Sequence, residues 1–437
     1  MNKKIAVGLI VIGITAAFSV SVLWNSVAIP DETLEKIIRK KIKKPIGPIY
    51  AHDLEKITFI TEYNGGIKTV KGLEYCKNLE MLSLTNSSIS DLTPLSNLEN
   101  LESLHLDRNN ISDITSLSNL ETLTFLSLEE NNISDIEPIS NLENLTLLSL
   151  EGNTISDISP LTTLTTLEGL YLSDNTISDI SPLKTLTTLE SLYLNDNTIS
   201  DISPLKTLTT LESLGLSNNT ISDISPLNPL TNLKNLFLQK NTINDISPLS
   251  ALSNLEIVSL ADNTISDLVP LSDLSTLELL SLNNNTISDL TPLESLKTLR
   301  VLWLENNNIT DITPLKHLVN IGGPSKKLES MQSFHLDLSH NNITDISPLR
   351  ENSGINKGDR INISDNPLTE GSLGLLSELE ERGVIITKEQ EPKPSVTPHP
   401  FGLVVTISDY FMYLGMVIIA LGLIIAGYTK NKRNNNK

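Results

Sequence analysis

The chain has 437 residues, a formal net charge of −20, 39% hydrophobic residues and only 4% aromatic residues. The negative charge excludes a nucleic-acid surface, which needs basic side chains to displace counterions from phosphates. The scarcity of aromatics indicates a core of Leu and Ile. The one cysteine, Cys76, excludes an intramolecular disulfide framework.

The first 28 residues have the pattern of an export signal. Met1 to Lys4 is positively charged, Ile5 to Trp24 is apolar, and Ser26-Val27-Ala28 is a small-x-small cleavage sequence. The apolar run is longer than is usual for a signal peptide, so an uncleaved signal anchor remains the alternative. Either alternative predicts that the chain is exported.

Residues 29–76 are predicted to form an N-terminal cap and a first irregular repeat. Asp31 to Leu34 opens a helix in which Leu34, Ile37, Ile38 and Ile42 share one face and basic residues occupy the other. A cap is needed because the end of a stack of repeats would otherwise expose its aliphatic core.

Residues 77–368 are predicted to be a solenoid, because the sequence from Leu82 to about Leu349 repeats every 22 residues, with longer units around Gly322-Gly323-Pro324 and Asn352 to Asp359. Leu104 and Leu106 alternate with polar residues, which indicates half-buried strands stacked in parallel. Apolar residues then recur every third position, which favours short 3₁₀ or extended segments. Ser159-Pro160 predicts a turn with Ser as N-cap and Pro as first residue. This is the leucine-rich-repeat pattern of an α/β solenoid, a horseshoe with a concave parallel sheet.

Two polar columns accompany the leucines. The asparagine column is predicted to be structural, because a buried carboxamide satisfies backbone groups of neighbouring coils. The aspartate column, Asp91 to Asp311 at 22-residue spacing and then Asp345, predicts local hydrogen bonds, with a calcium ladder as the alternative. Cys76 stands in a leucine column and is predicted to be a buried core residue. The predicted ladder asparagines are Asn109, Asn131, Asn153, Asn175, Asn197, Asn219, Asn241, Asn263, Asn285, Asn307 and Asn341.

The C-terminal part predicts a cap followed by a membrane anchor. Residues 369–387 are expected to form a helix and a final strand, and residues 388–402 a proline-rich linker. Residues 403–428 read as a transmembrane helix, with a buried core helix as the alternative. The basic residues of the tail, 429–437, predict that the C-terminus is cytoplasmic and the repeats are outside. The protein is thus expected in the cell membrane, single-pass, or two-pass if residues 5–24 are retained.

The sequence resembles the internalin-like leucine-rich-repeat surface proteins. The matching residues are the iterated Asn-Thr-Ile-Ser-Asp-Ile-Ser-Pro-Leu (Asn153 to Leu161 and its copies), the opening Ile29 to Glu35 and the closing Asn366-Pro367-Leu368. The resemblance implies a curved solenoid that recognises proteins or glycans on cell surfaces with its concave face, often in adhesion. A sortase motif and an immunoglobulin-like module do not accompany the repeats in this sequence, so a virulence role is not implied.

The candidate partner-binding residues are aromatics in the concave columns. Because aromatics are favoured anchors in interfaces, they predict a recognition stripe; the alternative is that aromatics simply suit strands. Tyr171 and Tyr193 are proposed as its centre. The flanking residues are Phe125, Phe237 and Trp303.

Asn-x-Ser/Thr sequons make N-glycosylation chemically feasible on an exported face. Several arise because the residue after a ladder asparagine is also Asn. The nine sequon asparagines are Asn86, Asn110, Asn132, Asn144, Asn218, Asn284, Asn308, Asn342 and Asn362.

Catalysis is not expected, because the histidines lack metal-ligand spacing and the sequence contains neither a phosphate loop nor a nucleophile elbow. A cofactor is therefore not predicted. The leading hypothesis is a membrane-anchored binding or adhesion protein that recognises an extracellular protein or glycan, with the lipid bilayer contacted by the C-terminal helix. The alternative is a structural spacer or lattice component of the cell envelope.

Overall fold

A computed structural model describes residues 26–324 and 334–388. The apolar run before Ser26, the predicted transmembrane helix and tail, and all of the predicted linker except its first residue lie outside these ranges. The chain divides into two compact units, with the boundary between Glu190 and Ser191. Within the described residues, no helix is both long enough and apolar enough to cross a bilayer.

The first unit opens with the cap, in which helix α1 begins after Asp31. The Asp31 carboxylate accepts hydrogen bonds from the backbone N–H groups of Thr33 and Leu34, both at 3.0 Å, and Leu34 and Ile38 are buried. This agrees with the predicted helix start. The pair of strands β1 and β2 is antiparallel, so Ser26 and Val27, which the sequence assigned to the signal segment, lie within the cap. The cap elements are β1 Ser26–Val27, α1 Glu32–Ile42, β2 Ile49–Tyr50 and α2 Ala51–Leu54.

The repeats of the first unit each contribute one strand of a parallel sheet and one 3₁₀ turn, as predicted. Leu82, Leu104 and Leu126 pair in register across three strands and are fully buried. The strands are β3 Phe59–Tyr63, β4 Met81–Thr85, β5 Ser103–His105, β6 Phe125–Ser127, β7 Leu147–Ser149 and β8 Gly169–Tyr171. The turns are Leu73–Tyr75, Thr93–Leu95, Thr115–Leu117, Glu137–Ile139, Ser159–Thr163 and Ser181–Thr185.

The second unit continues the same strand-and-turn alternation and ends in a helical cap. Its strands are β9 Ser191–Tyr193, β10 Ser213–Gly215, β11 Asn235–Phe237, β12 Ile257–Ser259, β13 Leu279–Ser281, β14 Val301–Trp303, β15 Leu336–Asp337, β16 Arg360–Asn362 and β17 Ile385–Thr387. Its 3₁₀ turns are Ser203–Thr207, Ser225–Leu227, Ser247–Ala251, Val269–Leu271, Thr291–Leu293 and Thr313–His317, and its helices are α3 Ser347–Glu351 and α4 Glu370–Glu381.

The aspartate column caps the turns. Asp157 accepts a hydrogen bond from the backbone N–H of Ser159 at 2.8 Å, and the backbone and hydroxyl hydrogen bonds of Ser159 hold the pKa of Asp157 below its usual value. Because the turn begins at Ser159, Pro160 is its second residue and Ser159 is not the N-cap; that part of the prediction is wrong by one position. The same aspartate bond recurs in every coil from Asp91 to Asp345, which confirms the expectation of local hydrogen bonds.

The asparagine column links neighbouring coils. The Asn153 amide nitrogen donates to the carbonyl oxygens of Leu128 and Leu150, both at 3.0 Å, and its side-chain oxygen accepts from the N–H of Ile133 at 2.9 Å. The structure adds Asn366, which the sequence analysis did not include, at the end of the column: it donates to the Leu338 carbonyl and accepts from Ile343. One side chain per coil thus satisfies backbone groups of two coils.

Cys76 is fully buried, as predicted from its leucine column. Burial, with a smaller contribution from the charge of Glu74, raises the pKa of the thiol to about 12. The thiol therefore remains protonated and unreactive at neutral pH.

Candidate binding surface

The side of each sheet opposite the leucine core is the one that the sequence analysis assigned to recognition; we call it the outward sheet face. Each repeat has two buried leucines, such as Leu104 and Leu106, and side chains alternate between the two faces of a strand. One outward column therefore lies before the first leucine of each repeat, and another lies between the two leucines. A third column follows the strands, two residues beyond their last residue in β5, β6 and β7.

The first column of the first unit is largely apolar. Phe59, Met81, Ser103, Phe125 and Leu147 pair in register across strands β3 to β7. Phe59 is 46% exposed and Met81 half-buried, whereas Phe125 and Leu147 are buried. The column therefore offers accessible apolar surface at its β3–β4 end.

The middle column of the first unit contains a neutral histidine. The His105 ring stacks on Phe125 with centroids 4.3 Å apart, and its Nε2 atom lies 3.0 Å from the Ser103 hydroxyl. Burial lowers the pKa of His105 to about 4, so the ring is uncharged at neutral pH. Thr61 and Ser83 occupy the same column on β3 and β4, with Thr61 exposed and Ser83 half-buried.

The third column of the first unit begins with Tyr63 and Thr85 and is acidic from the β5 repeat to the β7 repeat. Asp107 accepts hydrogen bonds from the Ser127 hydroxyl and, at 3.0 Å, from the N–H of Glu129, while Glu129 accepts from the Ser149 hydroxyl at 2.7 Å. Burial raises the pKa of both carboxyls; for Glu129, burial and the charge of Asp107 raise the pKa to about 7. The column continues to Glu151.

Four of the five predicted aromatics are buried. Phe125, Tyr171, Tyr193 and Phe237 lie in strands β6, β8, β9 and β11, with at most 3% of each side chain exposed, and Trp303 on β14 is half-buried. The expectation of an exposed aromatic stripe therefore does not describe these four side chains, although each stands in the strand where it was predicted.

Packing between coils accounts for part of this burial in the second unit. The rings of Tyr193 and Phe237 stack with centroids 6.4 Å apart, and Gly215 pairs in register between them. A Cβ at Gly215 would lie 2.6 Å from Tyr193 Cδ1, so the tyrosine ring occupies the space that the glycine leaves. The indole N–H of Trp303 donates to the Phe334 carbonyl at 2.8 Å, which fixes the ring.

Sequence reasoning missed two exposed aromatics and an aliphatic row. Phe59 and Tyr63, which is 61% exposed, lie on β3, N-terminal to the repeats from which the recognition stripe was predicted. Extending the 22-residue register across Cys76 would have found them. The row of Ile257, Leu279 and Val301 pairs across β12 to β14 and is buried.

The sequon asparagines differ in exposure. Asn284 and Asn362 are half-buried and donate to Asp262 and Asp337, and Asn144, though exposed, donates to the Glu121 carbonyl. The exposed members are Asn86, Asn110, Asn132, Asn144, Asn218, Asn308 and Asn342.

A family model described as "Leucine Rich repeats (2 copies)" matches in successive segments between residues 64 and 351. An internalin, InlF, from Listeria monocytogenes is 36% identical, with a TM-score of 0.71, over 78% of this chain and 96% of that chain. This chain belongs to the internalin-like leucine-rich-repeat proteins.

Two more distant structures share the fold of this internalin-like protein. A leucine-rich-repeat protein from Leptospira interrogans is 23% identical, with a TM-score of 0.69, over 77% of this chain and 85% of that chain. The Arabidopsis receptor kinase HAESA, in complex with the peptide hormone IDA and the co-receptor SERK1, is 22% identical, with a TM-score of 0.59, over 77% of this chain and 58% of that chain. The comparison with curated protein sequences gave no match.

Proposed function

We propose that this internalin-like protein is a cell-surface binding protein that recognises a protein partner through its outward sheet face. The observation that carries the proposal is the exposure of Phe59 and Tyr63 on that face, because an interface is anchored by accessible aromatic side chains. The HAESA structure, which shares the fold, contains a peptide hormone. Fold alone does not specify function, so the proposed binding role is based on the chemistry of the surface.

Membrane anchoring is the second part of the proposal. The apolar residues 403–428 would hold the protein in the membrane, and the basic tail would keep the C-terminus in the cytoplasm. Ending the chain after residue 402 should release the protein into the medium if the N-terminal signal is cleaved. Release of the untruncated chain into the medium would contradict a C-terminal anchor, whereas retention of the truncated chain in the membrane fraction would indicate an N-terminal anchor.

The binding test uses the full-length chain, purified in detergent, as bait for extracellular proteins and for an array of glycans. A variant with Thr61→Arg and Ser83→Arg places two charges on the outward sheet face without changing a buried residue. The matched control carries Thr165→Arg and Thr209→Arg, which are exposed and lie away from the strands. Capture of one protein by the native chain and the control, but not by the face variant, is the expected result.

Other results would redirect the assignment. Capture of glycans alone would replace the protein partner by a carbohydrate. Equal capture by both variants would contradict the outward sheet face as the binding surface. If neither proteins nor glycans bind, the structural spacer becomes the better assignment, since a spacer does not need a ligand.

A further inference from the structure

The outward sheet face of the first unit is chemically divided. Its first column presents Phe59 and Met81 at the β3–β4 end, and its third column presents the carboxyls of Asp107 and Glu129 after β5 and β6. The two columns are four residues apart along each repeat, so about 13 Å separates them along the strand direction. Apolar and acidic surfaces therefore lie side by side on one face.

Both halves are open enough to be contacted. Phe59 is exposed and Met81 half-buried in the first column, and Asp107 and Glu129 are half-buried in the third. The two carboxyls accept hydrogen bonds from the hydroxyls of Ser127 and Ser149 and from the backbone N–H of Glu129. Neighbouring Arg108 forms an ion pair with Glu130, at 2.8 Å, and its charge also offsets part of the rise in the pKa of Asp107 and Glu129. A cationic side chain placed between these carboxyls would favour their ionised forms, and in this partly desolvated position the electrostatic attraction between the charges is strong.

One basic residue sets the orientation of a ligand. Lys41 of helix α1 places its Nζ atom 3.3 Å from the centroid of the Phe59 ring. A second cation at that end of the face would be repelled by Lys41, whereas an apolar side chain would not. Positive groups of a ligand are thus directed to the Asp107–Glu129 end and apolar groups to the Phe59 end.

We propose that the first unit binds a peptide segment carrying both apolar and basic side chains, with the apolar groups on Phe59 and Met81 and the basic groups on Asp107 and Glu129. This inference rests on the proposed function and names the partner's chemistry. Strands in a sheet are about 4.8 Å apart, so a ligand that reaches from Phe59 on β3 to Glu129 after β6 crosses about 14 Å between strands and about 13 Å along them. The diagonal is about 19 Å, which about six extended residues cover. The charge complementarity, rather than the apolar surface, selects this ligand over other peptides.

Binding is expected to depend on pH through Glu129. The titratable and charged groups around it are Asp107, Arg108, Glu130 and Glu151, and His105 nearby is neutral. A cation favours the ionised carboxyl, and the pKa of Glu129 is raised to about 7. Affinity should therefore rise up to about tenfold from about pH 6 to about pH 8, since the ionised fraction grows by that factor.

The test pans a random peptide library against the full-length protein in detergent. Enriched peptides are expected to combine basic with apolar residues, and to lose at least about tenfold in affinity for the variant with Asp107→Asn and Glu129→Gln. The matched control, with Glu121→Gln and Glu143→Gln, removes the same charge from exposed positions of the same unit that lie outside the strands. A Phe59→Ser variant should weaken the same peptides without abolishing the pH dependence.

The outcomes separate this inference from the proposed function. Enrichment of acidic or purely apolar peptides, equal binding to the native and double-variant proteins, or no enrichment overturns the inference. Capture of a protein partner that the Thr61→Arg and Ser83→Arg changes abolish, but the carboxyl changes do not, would leave the proposed function standing and remove only the apolar–basic ligand.

Discussion

Gly215 shows how one small residue permits aromatic packing on the outward sheet face of the second unit. A methyl group at this position would lie 2.6 Å from Tyr193 Cδ1 and 2.8 Å from Asn195 Oδ1. Because real Cβ contacts are longer, Gly215→Ala forces the tyrosine ring to move, and overpacking of this kind costs about 1–3 kcal/mol in free energy of unfolding. Urea denaturation measures the loss.

Two further variants make this prediction specific. Gly374→Ala serves as control, because a Cβ there meets no atom within 4 Å and alanine is favoured over glycine in a helix. The loss caused by Gly215→Ala should shrink in a Tyr193→Ala background, since the clash with the ring disappears and only the contact with Asn195 remains. An unchanged loss in that background would show that the tyrosine ring is not the cause.

Glu129 makes stability depend on pH in an unusual direction for a carboxyl. Its folded-state pKa, raised to about 7, lies above its unfolded value, so the folded protein binds more protons than the unfolded chain between these values. The free energy of unfolding should consequently fall as pH rises through about 7. Glu129→Gln should flatten this decline between about pH 5 and about pH 8. Parallel pH profiles for the two proteins would contradict the assignment to Glu129.

At the scale of elements, helix α1 depends on one capping residue. Asp31 accepts two hydrogen bonds from the helix start, and its other carboxylate oxygen accepts from the Lys68 N–H at 2.8 Å. Asp31→Ala removes all three hydrogen bonds and should lower the free energy of unfolding by about 1–2 kcal/mol. Glu32→Ala, one residue later, is the control; an equal effect of both changes would point to charge rather than capping.

The elements themselves were largely predictable from sequence. Period-two leucines predict the strands, and the three-residue spacing after Asn109 predicts the 3₁₀ turns that follow, because these spacings describe local geometry. The start of the turn at Ser159-Pro160 was misplaced by one residue, since Asp157, two residues earlier, takes the capping role that Ser159 was given. The short pairing of β1 with β2 was also missed, because two-residue strands leave no periodic signal.

The candidate surface was predictable only in part. Sequence alternation indicates which way Phe125 or Phe237 points, and both lie in the predicted strands. It does not indicate what packs beside them: burial of Phe237 depends on Tyr193 across Gly215, a contact between repeats. The acidic column escaped notice because Asp107 and Glu129 acquire their raised pKa values only from burial in the folded unit.

For the whole molecule, the net charge of −20 and the aspartate column raise the question of divalent cations. Each of these aspartates already accepts a hydrogen bond from its own turn, as Asp157 does from Ser159. Raising NaCl from about 0.05 to about 0.5 M should increase Tm, because salt screens the repulsion between the negative charges. Because the aspartates are already used as turn caps, CaCl₂ at equal ionic strength should not increase Tm further. A larger increase with CaCl₂, reversed by chelator, would indicate specific binding.

The buried thiol has a practical consequence. Cys76 is the one cysteine of the chain, and its pKa of about 12 leaves almost no thiolate to react at neutral pH. A second cysteine introduced at an exposed position, such as Thr61, would be the one thiol open to labelling. Spectroscopic probes can thus be moved along the repeats one coil at a time without first deleting the native residue, and a bound partner's footprint can be mapped at single-residue spacing.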